Sequence, residues 1–268
     1  MTAGIAVIGW GAMARSLHAA LEGGTARAPA GPRITACLLR PGSPNRPPAG
    51  IAVVTDAAAL AASAPALVVE CAGHGAVRDH VPALLRAGLA VVLVSAGALT
   101  DDALRRDLAA AASAGGASLS VVAGAVGALD LLRAAALAGL DRVTYRGIKP
   151  PGAWRGSPAE TLCDLGALDA AQVFFRGTAR EAAARFPKNA NVAAAIALAG
   201  TGFDATEVEL VADPAASLNR HEIVASGAFG EMRFSVENRP LPDNPRTSHL
   251  AALSLEDAVR RHLAPACL

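Results

Sequence analysis

Three groups of residues in this chain have types and spacings suited to chemistry. The first is the turn Phe186-Pro187-Lys188-Asn189-Ala190-Asn191, followed by an apolar run from Val192 to Ala199 and then Gly200. Pro187 disfavours helix for the residue before it, Asn189 is a good N-cap and Gly200 is a stop signal. A short buried helix is therefore expected over residues 190–199. Its first turn offers unpaired backbone N–H groups beside the Lys188 cation, a ready seat for a carboxylate or phosphate. Lys188 and Asn189 are the candidate substrate-binding residues; a capped core helix with a solvated lysine is the plainer alternative.

The second group is Asn219-Arg220-His221-Glu222-Ile223, a strand-like run. Period-two alternation puts Asn219, His221 and Ile223 on one face and Arg220 and Glu222 on the other. A histidine there, titrating near neutrality, could move protons for a reaction, but a satisfied core histidine fits these residues equally well. His18 and His262 are expected on helix surfaces, His80 and His249 near helix starts, and Glu70 and His74 in structural or solvated places.

The third group is Gly9-Trp10-Gly11-Ala12-Met13-Ala14, directly after the apolar run Ile5 to Ile8 and before a helical pattern through Leu17 and Leu21. This is the dinucleotide fingerprint in its GxGxxA form. Gly9 permits the tight turn, Gly11 lets backbone approach a pyrophosphate, and Ala14 allows close helix–strand packing. Gly9, Gly11, Ala12 and Met13 are thus candidate cofactor-binding residues.

The elements that must position these groups follow in order. Strands are expected at residues 34–39, 51–54, 67–70, 89–94 and 119–122, with helices over 56–62, from about Val77 to Gly88, and from Asp101 or Asp102 through Leu108. Repeated β-α units with short links imply an α/β, Rossmann-type doubly wound parallel sheet. Ligands in such sheets lie beyond the carboxyl ends of the strands, so Cys71 and Ala72, and Ser95 with Ala96 and Gly97, should approach the nicotinamide end. Gly124-Ala125-Val126-Gly127 should open a helix from Leu129 to Leu137 and bridge two domains.

Beyond Leu140 the pattern changes. Strands are expected at 142–148, 171–175, 207–211, 219–225 and 231–238. Thr178 should cap a helix through Arg185, and Lys149-Pro150-Pro151-Gly152-Ala153-Trp154 should form a stiff, exposed loop. This is a smaller α+β domain with a mainly antiparallel sheet. Ser254 and Asp257 have capping-box spacing for a final amphipathic helix, expected to pack on the first domain. The expected boundaries are 1–126 for the dinucleotide-binding domain, completed by 242–268, and 127–241 for a substrate and dimerisation domain.

Composition narrows the function classes. The chain has 268 residues, 53% hydrophobic but only 3% aromatic, so its core must be built from Val, Leu, Ile and Ala. A net charge of +1 without charge blocks does not recommend nucleic acid or an anionic membrane as partner. No apolar run reaches the roughly 18 residues of a membrane span, and no basic leader precedes the first strand. Cys37, Cys71, Cys163 and Cys267 are scattered, as expected of reduced thiols in a cytoplasm and not of a disulfide frame or metal site.

Phe186 to Val192, Ala212-Asp213-Pro214, Asn219-x-His221-Glu222-Ile223 and Asn244-Pro245-Arg246-Thr247-Ser248 resemble the L-aspartate dehydrogenase family. Glu70-Cys71-Ala72-Gly73, Ser95-Ala96-Gly97-Ala98-Leu99 and Lys149-Pro150-Pro151-x-Ala153-Trp154 are similar to it as well, with a mild departure at Ala96, where Val is expected. The resemblance implies a usually dimeric enzyme converting L-aspartate to iminosuccinate or oxaloacetate with NAD or NADP, tied to NAD biosynthesis. It also implies an active-site role for His221 and cofactor contacts from Ala125 and Asn191. A homoserine- or dihydrodipicolinate-type reductase and a non-catalytic dinucleotide sensor are the competing readings. Between Glu22 and Asp56 there is no acidic residue to accept ribose hydroxyls, and Arg40 ends the second strand with Ser43 and Arg46 nearby. NADP is therefore expected to be accepted at least as well as NAD.

Overall fold

A computed structural model describes residues 4–24, 31–187, 191–241 and 244–264. The chain divides into two compact units, Met1–Val122 with Ala252–Leu268, and Ala123–Ala251.

The first unit holds β1 (Ile5–Ile8), α1 (Ala12–Gly23), β2 (Ile34–Leu38), β3 (Ala52–Val54), α2 (Ala57–Ala62), β4 (Leu67–Glu70), α3 (His74–Arg86), β5 (Val91–Leu93), α4 (Asp102–Gly115) and β6 (Leu119–Val121). The strands form one sheet in the order β3-β2-β1-β4-β5-β6, every pairing parallel. β1 and β4 are buried at every position, as expected of the apolar run of β1 and of β4 up to its last residue, Glu70. α4 runs to Gly115, two turns beyond the expected Leu108, because Leu104, Leu108 and Ala111 continue one buried stripe.

The second unit contains α5 (Leu129–Leu137), β7 (Leu140–Lys149), β8 (Gln172–Thr178), α6 (Ala179–Arg185), α7 (Asn191–Ala199), β9 (Thr206–Ala212), β10 (Asn219–Gly227) and β11 (Gly230–Asn238). Its sheet order is β11-β10-β7-β9-β8, antiparallel except between β7 and β9. The short pair β12 (Pro240–Leu241) and β13 (Asn244–Ser248) follows. α6 starts on a full capping box between Thr178 and Glu181. One sheet face carries Val143, Tyr145, Val208, Leu210, His221 and Ile223, all buried; the other carries ion pairs such as Arg142–Glu207 and Arg146–Glu209.

Two expectations are corrected. Residues 151–154 form a turn of 3-10 helix, and Trp154 is buried with its indole N–H donating to the Val211 carbonyl at 2.9 Å. Lys149 is buried too, so this loop is not the exposed one expected from its prolines. The last helix, α8 (His249–Leu263), starts well before Ser254, which lies mid-helix and not in a capping box. Its stripe of Ala252, Leu255 and Val259 is buried, the last two in the first unit's core with Leu17, Leu21 and Ile34.

Candidate active site

In the first unit, a cleft of about 580 Å³ opens at the carboxyl ends of β1, β2 and β4. Gly9, Gly11, Arg40, Cys71 and Ala72 line it together, with Trp10, Ser43, Asn45, His74 and Asp79. Gly9 has φ of 88°, and a Cβ there would stand 2.7 Å from the Cβ of Ala72. Only glycine allows the β1 and β4 turns to approach so closely. A Cβ at Gly11 would project into open space within the cleft, and no side chain caps the start of α1. Bare backbone N–H groups at a helix start suit a pyrophosphate, so the residues present fit a dinucleotide. Ala12 and Met13 begin α1 just past the lining residues. Arg40 is exposed at the rim, in a turn closed by the Ser43 N–H donating to the Arg40 carbonyl.

Behind the cleft is a group that sequence reasoning left as merely structural or solvated. Glu70 is fully buried, and its Oε1 accepts from the backbone N–H groups of Ala72 and Gly73, both at 2.8 Å, and from the Ser95 hydroxyl at 3.0 Å. Its Oε2 accepts from the Ser95 N–H at 3.1 Å. One carboxyl group thus ties the β4 and β5 turns together. Burial raises its pKa, and the hydrogen bonds from Gly73, Ala72 and Ser95 oppose that rise. Ser95 is buried in this knot, and Ala96 to Thr100 continue as 3-10 helix.

The second unit holds His221, Ala125 and Asn191. His221 is 3% exposed on β10, and its Nδ1 lies 2.9 Å from the Tyr145 hydroxyl. Its Nε2 is buried and has no hydrogen-bond partner among the described residues. The expectation of a histidine titrating near neutrality does not hold here. Burial, reinforced by the charge of Lys149, lowers its pKa to about 3, so the ring is neutral at pH 7. Lys149 is itself brought down to about 8 by burial, and its Nζ lies 4.9 Å from the centre of the Trp154 ring. Neither Tyr145 nor Lys149 is among the candidate site residues read from the sequence, where Lys149 only opens a motif. The signal available was alternation, since Val143, Tyr145, Gly147 and Lys149 fall on one side of β7, and Gly147 pairs with His221.

Ala125 is buried, and its carbonyl accepts from the Asn238 amide at 2.9 Å. Asn191 is the first residue of α7 and half-buried. Lys188 and Asn189 lie outside the described residues, as does the expected cap of that helix.

The chain is 50% identical over 258 residues to the L-aspartate dehydrogenase of Ruegeria pomeroyi, covering 96% of this chain and 91% of that protein. The chain belongs to the L-aspartate dehydrogenase family. The family model described as aspartate dehydrogenase, C-terminal, matches residues 130–262, and that for the homoserine dehydrogenase NAD binding domain matches residues 9–122. Among solved structures, an aspartate dehydrogenase from Thermotoga maritima is 26% identical with a TM-score of 0.79, covering 100% of both chains. A hyperthermophilic archaeal homoserine dehydrogenase reaches a TM-score of 0.60 at 11% identity, a likeness of fold alone.

Proposed function

We propose that this family member catalyses the reversible, NAD(P)-dependent oxidative deamination of L-aspartate to iminosuccinate or oxaloacetate and ammonia. The observation that carries the reading is 50% identity to an L-aspartate dehydrogenase across nearly the whole chain. A glycine-lined cleft suited to a dinucleotide and a buried histidine, one nitrogen of which has no partner among the described residues, support it.

The dinucleotide, when bound, supplies the hydride acceptor. Gly9, Gly11 and the start of α1, with Ala12 and Met13, take the pyrophosphate. Cys71, Ala72 and Ser95 flank the nicotinamide, with Ala125 and Asn191 as further contacts. Arg40, exposed at the rim with Ser43 beside it, meets the adenosine ribose. That pair accommodates a 2′-phosphate, so NADP serves at least as well as NAD. Lys188 and Asn189 hold a carboxylate of the substrate, and hydride transfer needs the reacting carbons held about 3–3.5 Å apart. His221 is the side chain that meets the reacting groups. The three described cysteines are free thiols, which supports a cytoplasmic setting, and the enzyme works as a homodimer linked to NAD biosynthesis.

The test is NAD(P)H formation on L-aspartate, and its consumption on oxaloacetate with ammonia. His221→Ala should lower kcat by roughly 10²–10⁴ while dinucleotide affinity stays near wild type. Dinucleotide binding without turnover on either substrate would make the chain a sensor, and near-normal turnover of the variant would remove His221 from the mechanism.

A further inference from the structure

The buried cluster on β7 and β10 specifies more about His221 than its position. A neutral imidazole carries one proton, and the partner of one nitrogen decides which nitrogen holds it. The Tyr145 hydroxyl is 2.9 Å from Nδ1, and Tyr145 is 2% exposed. Burial raises the phenol's pKa well above its usual value, so it keeps its proton. Among the described residues, Nδ1 is the one hydrogen-bond partner given to that hydroxyl. A buried phenol proton must go to an acceptor, so it goes to Nδ1. The imidazole proton then belongs on Nε2, the atom that is buried and has no partner among the described residues.

The backbone is built for this contact. Tyr145 and His221 are not directly paired; His221 faces Gly147 across the β7–β10 ladder. The phenol reaches the histidine by lying over Gly147, where a Cβ would stand 2.7 Å from its oxygen and 3.2 Å from its ring. The two rings lie 6.0 Å apart at an interplanar angle of 18°. Any side chain at position 147 would push the phenol away from Nδ1.

We propose that Tyr145, seated over Gly147, fixes His221 in the tautomer with its proton on Nε2, so that the resting histidine offers a hydrogen bond to a substrate oxygen and does not accept a proton there. Tyr145 is then a positioning residue, and Nε2–H polarises a carbonyl or anchors a carboxylate of the dicarboxylate. This rests on the reading of His221 as the group that meets the substrate.

The full chain labelled with ¹⁵N histidine gives a test independent of turnover, with the His221 signals assigned by their loss in His221→Gln. The wild type at pH 7 should show a protonated Nε2 and a bare Nδ1. Tyr145→Phe should abolish the single tautomer and lower kcat about tenfold, the size of one lost hydrogen bond, with little change in dinucleotide affinity. Should that variant fold poorly, Gly147→Ala displaces the phenol and should shift the same signals. A protonated Nδ1 in the wild type, or an unchanged tautomer in both variants, would overturn the proposal. Normal turnover in His221→Ala would instead defeat the reading beneath it, leaving the tautomer assignment standing.

Discussion

His221 enters the folded chain without its charge, which has a measurable consequence. The unfolded chain binds a proton on histidine near pH 6.5, whereas the folded chain holds it off until about 3. Between those values the unfolded state binds more protons, so stability falls as pH is lowered, by up to about 1.4 kcal/mol per pH unit. Lys149 acts with the same sign in a higher window. Its folded pKa of about 8 lies below the usual 10.5, so stability rises as pH goes from 8 to 10.5. Urea unfolding at pH 7, 6 and 5 should show a steeper loss in wild type than in His221→Gln; parallel curves would mean that the folded chain protonates His221 normally. The face on which His221 stands was legible from alternation in residues 219–223. Its protonation was not, because that depends on Tyr145 and Lys149, which lie more than seventy positions away in sequence and next door on β7. The role of Glu70 was hidden for a similar reason: a carboxylate at a strand end reads as solvated until its four donors, from Ala72, Gly73 and Ser95, fold around it.

At the scale of elements, the cleft depends on turns held closer than ordinary side chains permit. Gly9→Ala places a Cβ against Ala72 at a φ of 88°, which should destabilise the chain by about 1–3 kcal/mol and weaken dinucleotide binding. Glu70→Ala leaves three backbone N–H groups without their acceptor, and a loss of roughly 3 kcal/mol is expected, with reduced dinucleotide affinity. Denaturant melts and fluorescence titration with NADH check both. Unchanged stability in Glu70→Ala would mean that water replaces the carboxyl. The β-α alternation was readable because buried parallel strands are short apolar runs between turn signals. Where the reading slipped, a packing stripe or a single large side chain outweighed a local cue. α8 begins a turn and more before Ser254 because Ala252, Leu255 and Val259 extend one buried face. Trp154 is drawn in by its apolar area and its bond to Val211, against the loop signal of Pro150-Pro151-Gly152.

At the scale of the whole molecule, the dinucleotide-binding unit is discontinuous in sequence. Residues 1–122 are joined in one unit by residues 252–268, and Leu255 and Val259 are fully buried in its core. Leu255→Ala should cost about 2–5 kcal/mol, whereas Leu253→Ala, on the exposed face of the same helix, should stay within about 0.5 kcal/mol. Thermal unfolding of the two variants decides the matter; equal melting temperatures would show that α8 contributes little to that core.

The same discontinuity sets a schedule during synthesis. The six parallel strands leave the ribosome early, but the helix that covers Leu17, Leu21 and Ile34 follows only after all of residues 123–251. At about 5–20 residues per second, that interval is roughly six to twenty-six seconds. Throughout it the nascent sheet domain carries an uncovered apolar groove while the second unit is still being made. A chaperone that shields such grooves should therefore engage this chain while its middle is being made and release it once α8 emerges.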